Sequence, residues 1–114
     1  MTISEISTLL SADICVSADR TGRDVSSAFA GDMLSDVLAL SRQPDLLLTG
    51  LLNPQVIRTA EMLDTVCVVF LNGKVPDESI LSLARERSIS VLTTELSMFA
   101  ACGALAGAGI LAAE

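Results

Sequence analysis

Histidine, tryptophan and tyrosine are missing from this chain, and phenylalanine occurs only three times in 114 residues. Without histidine there is no Ser-His-Asp triad, no Cys-His dyad and no imidazole-ligated metal site. Three aromatic rings make no platform on which nucleic-acid bases could stack. Positive charge is scarce as well. Seven Lys and Arg, with Lys74 the single lysine, face fourteen Asp and Glu, for a formal net charge of -7. A sequence pI near 4.3 offers no basic face to a phosphate backbone, so no nucleic-acid partner is expected.

Cysteine is sparse and odd in number. Cys15, Cys67 and Cys102 are widely spaced and form no C-x-x-C, which gives neither a disulfide framework nor a zinc or redox motif. Cys67, in the apolar run Thr65-Val66-Cys67-Val68-Val69-Phe70, and Cys15, in Ile14-Cys15-Val16, read as small buried hydrophobes. Cys102 lies in an alanine-rich tail that suggests no particular environment. The N-terminus has neither a basic region nor a long apolar core, so no signal peptide is expected. The apolar tail from Met98 to Ala113 is interrupted by Gly103, Gly107 and Gly109 and is shorter than the ~20 residues of a spanning helix. No membrane partner is expected, and the cytoplasm is the expected compartment.

Apolar residues are plentiful, at 51% against 18% charged, which argues for a folded core. A chain of this length forms one domain without needing disulfides or a structural metal. That domain should span residues 1–114, with an N-terminal helix over 1–12 and the core over 13–114.

Thr2 and Glu5 have capping-box spacing ahead of Ile6, Leu9 and Leu10, which predicts a first helix to about Ser11. Ile14-Cys15-Val16 is a brief strand, residues 18–24 a polar loop, and Val25 to Ala30 a second strand. Asp32 is placed as the N-cap of a helix that buries Met33, Leu34, Val37, Leu38 and Leu40 and stops before Pro44. Asp45 to Gly50 is a continuous apolar strand. Asn53-Pro54 starts a helix with Val56, Ile57, Ala60 and Leu63 on its apolar face. Thr65 to Leu71 is the clearest strand, rich in β-branched residues. Asn72-Gly73 turns the chain, and Pro76-Asp77 opens a helix carrying Ile80, Leu81 and Ala84. Ile89 to Leu92 is a further strand, and a last helix runs from Thr94 to about Gly107. This alternation predicts an α/β fold: a mostly parallel sheet of about four or five strands flanked by helices.

The segments Gly31-Asp32-Met33-Leu34-Ser35-Asp36-Val37-Leu38, Asp45-Leu46-Leu47-Leu48-Thr49 and Asn53-Pro54-Gln55-Val56-Ile57 follow one another in the chain. Val68-Val69-Phe70-Leu71-Asn72-Gly73-Lys74-Val75-Pro76-Asp77, Ile89-Ser90-Val91-Leu92-Thr93-Thr94, Ser97-Met98-Phe99 and Cys102-Gly103 come after them. In order and spacing the chain resembles the DRTGG domain family from about Asp13 onward. The name motif departs at its fifth position, in Asp19-Arg20-Thr21-Gly22-Arg23, and a second register aligns Arg23-Asp24-Val25 instead. The resemblance implies a fold like the N-terminal domain of HPr kinase/phosphorylase and a regulatory or dimerising module. Such domains occur between paired CBS domains in regulated pyrophosphatases.

The resemblance does not imply kinase activity. A phosphate loop needs G-x-x-x-x-G-K-[ST], and Lys74 is preceded by Asn72-Gly73 alone. The glycines of the tail sit within and after the last helix, where close packing or unwinding accounts for them. Asp32, Ser35 and Asp36 are read as a cap and a solvated helix start. The rim formed by the carboxyl ends of the parallel strands is the place for a ligand. Thr49, Gly50, Asn53, Asn72, Gly73, Thr93 and Thr94 are the candidate binding residues there, with helix N-termini at Asn53, Asp77 and Thr94 to face a small anion. No catalytic residue, metal or cofactor is expected. The functional expectation is a non-catalytic regulatory module that forms a homodimer, with a nucleotide or anion sensor as the alternative.

Overall fold

Thr2 and Glu5 close a full capping box, each side chain accepting from the other residue's backbone N–H, and α1 (Ile3–Leu9) follows at once. It is the first of eleven elements in a computed structural model that describes residues 1–18 and 24–114. The remaining elements are β1 (Asp13–Val16), β2 (Ser27–Ala30), α2 (Leu34–Leu40), β3 (Leu46–Thr49), α3 (Gln55–Met62), β4 (Cys67–Phe70), α4 (Glu78–Glu86), β5 (Ser90–Thr93), α5 (Met98–Gly107) and β6 (Leu111–Ala112). The residue 19–23 motif lies outside the described residues.

The strands form one sheet in the order β1-β5-β4-β3-β2-β6. All neighbours are parallel except β1, which runs antiparallel to β5. The three connections from β2 to β5 step across the sheet in one direction. Right-handed crossovers therefore place α2, α3 and α4 on one face. From β5 the chain turns back to the far edge, and the same handedness puts α5 on the opposite face beside α1. Alternate strand residues divide accordingly. Val68 and Phe70 join Val56, Ile57, Ile80 and Ala84 under α3 and α4. Cys67 and Val69 join Ile6, Leu10, Ala101 and Leu105 under α1 and α5.

The expected helices and central strands are present, with five corrections. The sheet has a sixth strand in the tail. Gly109, at φ +95, turns the chain after α5, and Leu111 and Ala113 then donate to the carbonyls of Ser26 and Ala28. Asp32 is not an N-cap. Met33 holds that position with no side-chain bond, because the Asp32 carboxylate is used across the strand ends. On α2 only Val37 is fully buried, while Met33, Leu38 and Leu40 are exposed. Cys15 is exposed rather than buried, because β1 is an edge strand whose register shifts at this residue. The last helix begins at Met98, capped by Ser97, whose hydroxyl accepts from the Ala100 N–H. Thr94, the expected start, instead directly follows β5, four residues before the helix.

Candidate functional site

The carboxyl ends of β2, β3, β4 and β5 make one rim, and a hydrogen-bonded cluster on it surrounds Gly50. The Asp32 Oδ1 accepts from the Gly50 N–H at 2.7 Å and from the Thr49 hydroxyl at 3.1 Å. The Lys74 Nζ donates to the Gly50 carbonyl at 2.7 Å. A β-carbon on Gly50 would stand 3.4–3.5 Å from Asn72 Nδ2, Asp32 Oδ1 and Lys74 Nζ. Three polar groups carried beyond the ends of β2 and β4 thus close over the end of β3, at ordinary van der Waals distance from a side chain placed there.

Asn72 and Gly73 both take left-handed backbone, at φ 62 and φ 69, as asparagine and glycine readily do. Their N–H groups donate to the carbonyls of Leu96 and Thr94, so the turn is tied to the end of β5. Any β-carbon at Gly73 would collide with the Glu95 carboxylate, which lies over it. Thr94 is almost fully buried. Its hydroxyl donates to the Leu10 carbonyl at 2.8 Å and accepts from the Leu96 N–H.

The seven candidate residues therefore separate. Gly73, Thr93 and Thr94 line a cleft of about 110 Å³ together with Ser11, Asp13, Lys74 and Glu95. Gly50 and Asn72 meet in the neighbouring cluster, with Thr49 held by Asp32. Asn53 joins neither group, and its Oδ1 accepts from Gln55 N–H at the start of α3. The hydroxyls of Thr49 and Thr94 and the N–H groups of Gly50, Asn72 and Gly73 are all engaged within the chain. Asp13, Asp32, Lys74 and Glu95 were not among the expected residues, yet they carry the charge of the rim. Asp32 falls two residues past β2, the offset at which Asn72 follows β4, and that parallel was a usable signal.

The cleft has room for about three or four waters at liquid volume, and two carboxylates flank its one ammonium. That balance suits a small cation or zwitterion better than a phosphate. The helix starts add little for an anion. The α4 start is filled by Asp77, whose carboxylate accepts from the Ser79 hydroxyl and the Ile80 N–H. Those bonds, the Ser79 one first, hold its pKa below the usual carboxylate value. Among the described residues no three Cys, Asp or Glu are grouped to hold a metal ion.

Cys67 and Cys102 offer no activated nucleophile. Burial alone pushes the Cys67 thiol far above its usual range, and it pushes Cys102 up in the same direction. A thiol-reactive dye should therefore label Cys15 fast, Cys102 more slowly and Cys67 only in denaturant. Peptide mapping after timed quenching would check this; native labelling of Cys67 at the rate of Cys15 would contradict the burial.

No family model matches the sequence, and no curated protein matches it. Among solved structures, the chain superposes on the CBS and DRTGG domains of the regulatory region of a Clostridium perfringens pyrophosphatase, complexed with its activator, diadenosine tetraphosphate. The TM-score is 0.74 at 20% identity, over 91% of this chain and 45% of that one. This chain thus spans under half the length of that regulatory region. That shared fold is in line with the segments that resemble the DRTGG family, and in fold the chain is similar to this region of CBS and DRTGG domains.

Proposed function

We propose that this protein is a non-catalytic regulatory module that works as a homodimer. The observation that carries the reading is α5. All 21 charged residues of the chain lie outside positions 96–113, and α5 is apolar on every side. Ala101 and Leu105 face the core, while Phe99, Ala100 and Ala106 face outward. A helix that is apolar all round belongs inside a larger core or a membrane. With ten residues, α5 is too short to span a bilayer, and no helix among the described residues is long and apolar enough to do so. A second protein surface is the remaining cover. The superposed regulatory region supports a regulatory role for the fold.

Light scattering coupled to size exclusion should give a mass near twice 11.9 kDa at micromolar concentration. Each copy carries -7, and the contact surface carries no charge, so salt screens only repulsion. Raising NaCl from 50 to 500 mM should tighten the dimer by about threefold or more. A strictly monomeric protein at both salt levels would remove this reading.

The second reading, a sensor of a small cation or zwitterion in the Asp13-Lys74-Glu95 cleft, draws on the two carboxylates and one ammonium of its lining. It requires a ligand-dependent rise in melting temperature that Lys74→Ala abolishes. A flat response across nucleotides, amino acids and divalent cations would exclude it.

A further inference from the structure

Beside α5 runs an open, mostly apolar groove of about 350 Å³, floored by Ala28, Ala30 and Leu48 and walled by Cys102, Ala106 and Ile110, with Glu114 also in its lining. It exists because β2 presents only alanines, Ala28 and Ala30, to this face, so the sheet edge is thinly covered. On the same side of the helix, seven residues before Ala106, stands Phe99. Its ring is 90% exposed, the most exposed large hydrophobic side chain among the described residues.

Resting on the homodimer reading, we infer that Phe99 of one copy seats in the groove of a second copy, and that the exchange is reciprocal. A two-fold contact requires that if residue i touches j, then j touches i. Seven residues along a helix put Phe99 and Ala106 about 10 Å apart on one stripe. An axis through the stripe midway between them, beside Cys102 and Gly103, brings each ring onto the partner's Ala106 in an antiparallel helix pair. Gly103 lies at that crossing, exposed, with nothing within 4 Å of where a β-carbon would be, so the two helices meet without a side chain between them. The occupant is a second copy because knob and hole sit on one helix at a spacing that only self-pairing uses twice. The helix α5 itself brings no charge to the contact, as two chains of equal negative charge require, and Glu114 is the one charged residue of the groove lining.

The test pairs two variants. Phe99→Ala removes the ring and keeps the groove; Ala106→Trp keeps the ring and fills the groove. Each alone should raise the dimer dissociation constant by about tenfold to a hundredfold, while far-UV circular dichroism and thermal melting confirm the fold. Mixed together, they regain one intact seat, the Phe99 of the Ala106→Trp chain in the groove of the Phe99→Ala chain. Native mass spectrometry should then show the heterodimer in excess of either homodimer. In the unaltered protein, Cys102 labelling should slow as concentration rises through the dimer range, while Cys15, on the opposite edge strand, keeps its rate. A dimer that Phe99→Ala leaves intact, with Cys102 labelling independent of concentration, overturns the seat and leaves self-association standing. A monomer at every concentration overturns both.

Discussion

Replacing Phe70 by alanine should destabilise the monomer by about 3–5 kcal/mol, a large share of the 5–15 kcal/mol typical of a domain. Phe70 ends β4, the third strand in from the β1 edge, pairs with Thr49 and Thr93 on either side and is fully buried against the α3 and α4 face. Truncation loses the transfer energy of the ring and leaves a cavity that two flanking strands and two helices hold open. In urea the midpoint should fall with the slope unchanged, and the melting temperature should drop by roughly 10–25 °C. Phe99→Ala is the natural control. It removes the same side chain from a site that is 90% exposed, and at concentrations where the protein is monomeric it should shift stability by no more than about 0.5 kcal/mol. A loss below about 1 kcal/mol for Phe70→Ala would mean that the α3 and α4 layer collapses into the space, and that this face is less tightly built than its complete burial indicates.

The contrast between the two phenylalanines also explains what the sequence could convey. The β3 and β4 strands were legible because a parallel strand covered on both faces reads as a near-continuous apolar run. Leu46-Leu47-Leu48 and Cys67-Val68-Val69-Phe70 are such runs, and each is buried throughout. The caps at Thr2 and Asp77 were legible because their bonds span three residues of the same segment. What failed depended on partners far away in sequence. Asp32 was assigned to the helix beside it, but its bonds run to Thr49 and Gly50, 17 and 18 residues on. Cys15 sits in a strand-like triplet whose edge position is set by β5. The strand β6 is two residues long and has no periodicity of its own; only its pairing with β2 defines it. The site divided in the same way. Local turn chemistry marked Asn72-Gly73 and Thr93-Thr94, whereas the charges that surround them come from elements the chain brings together only on folding.

Thr94 shows how far a residue of the right type in the right place can differ from its expected role. In the structure its hydroxyl ties the end of α1 to the end of β5, bridging the Leu10 carbonyl and the Leu96 N–H across 84 residues of chain. Thr94→Val keeps the shape and removes that bridge, so two largely buried backbone groups lose a partner. The expected cost is about 2–4 kcal/mol, a large penalty for exchanging one atom. Thr94→Ser restores the hydroxyl and should recover most of that loss. Urea denaturation of the three proteins measures the energies, and amide exchange at Leu96 locates them: protection should fall in the valine variant and return in the serine one. A valine variant as stable as the unaltered protein would show that the hydroxyl does no structural work, and that it is free to meet a ligand in the Asp13-Lys74-Glu95 cleft. The predicted penalty instead makes Thr94 a fixed wall of that cleft, and leaves Lys74 and the two carboxylates as its groups for recognition.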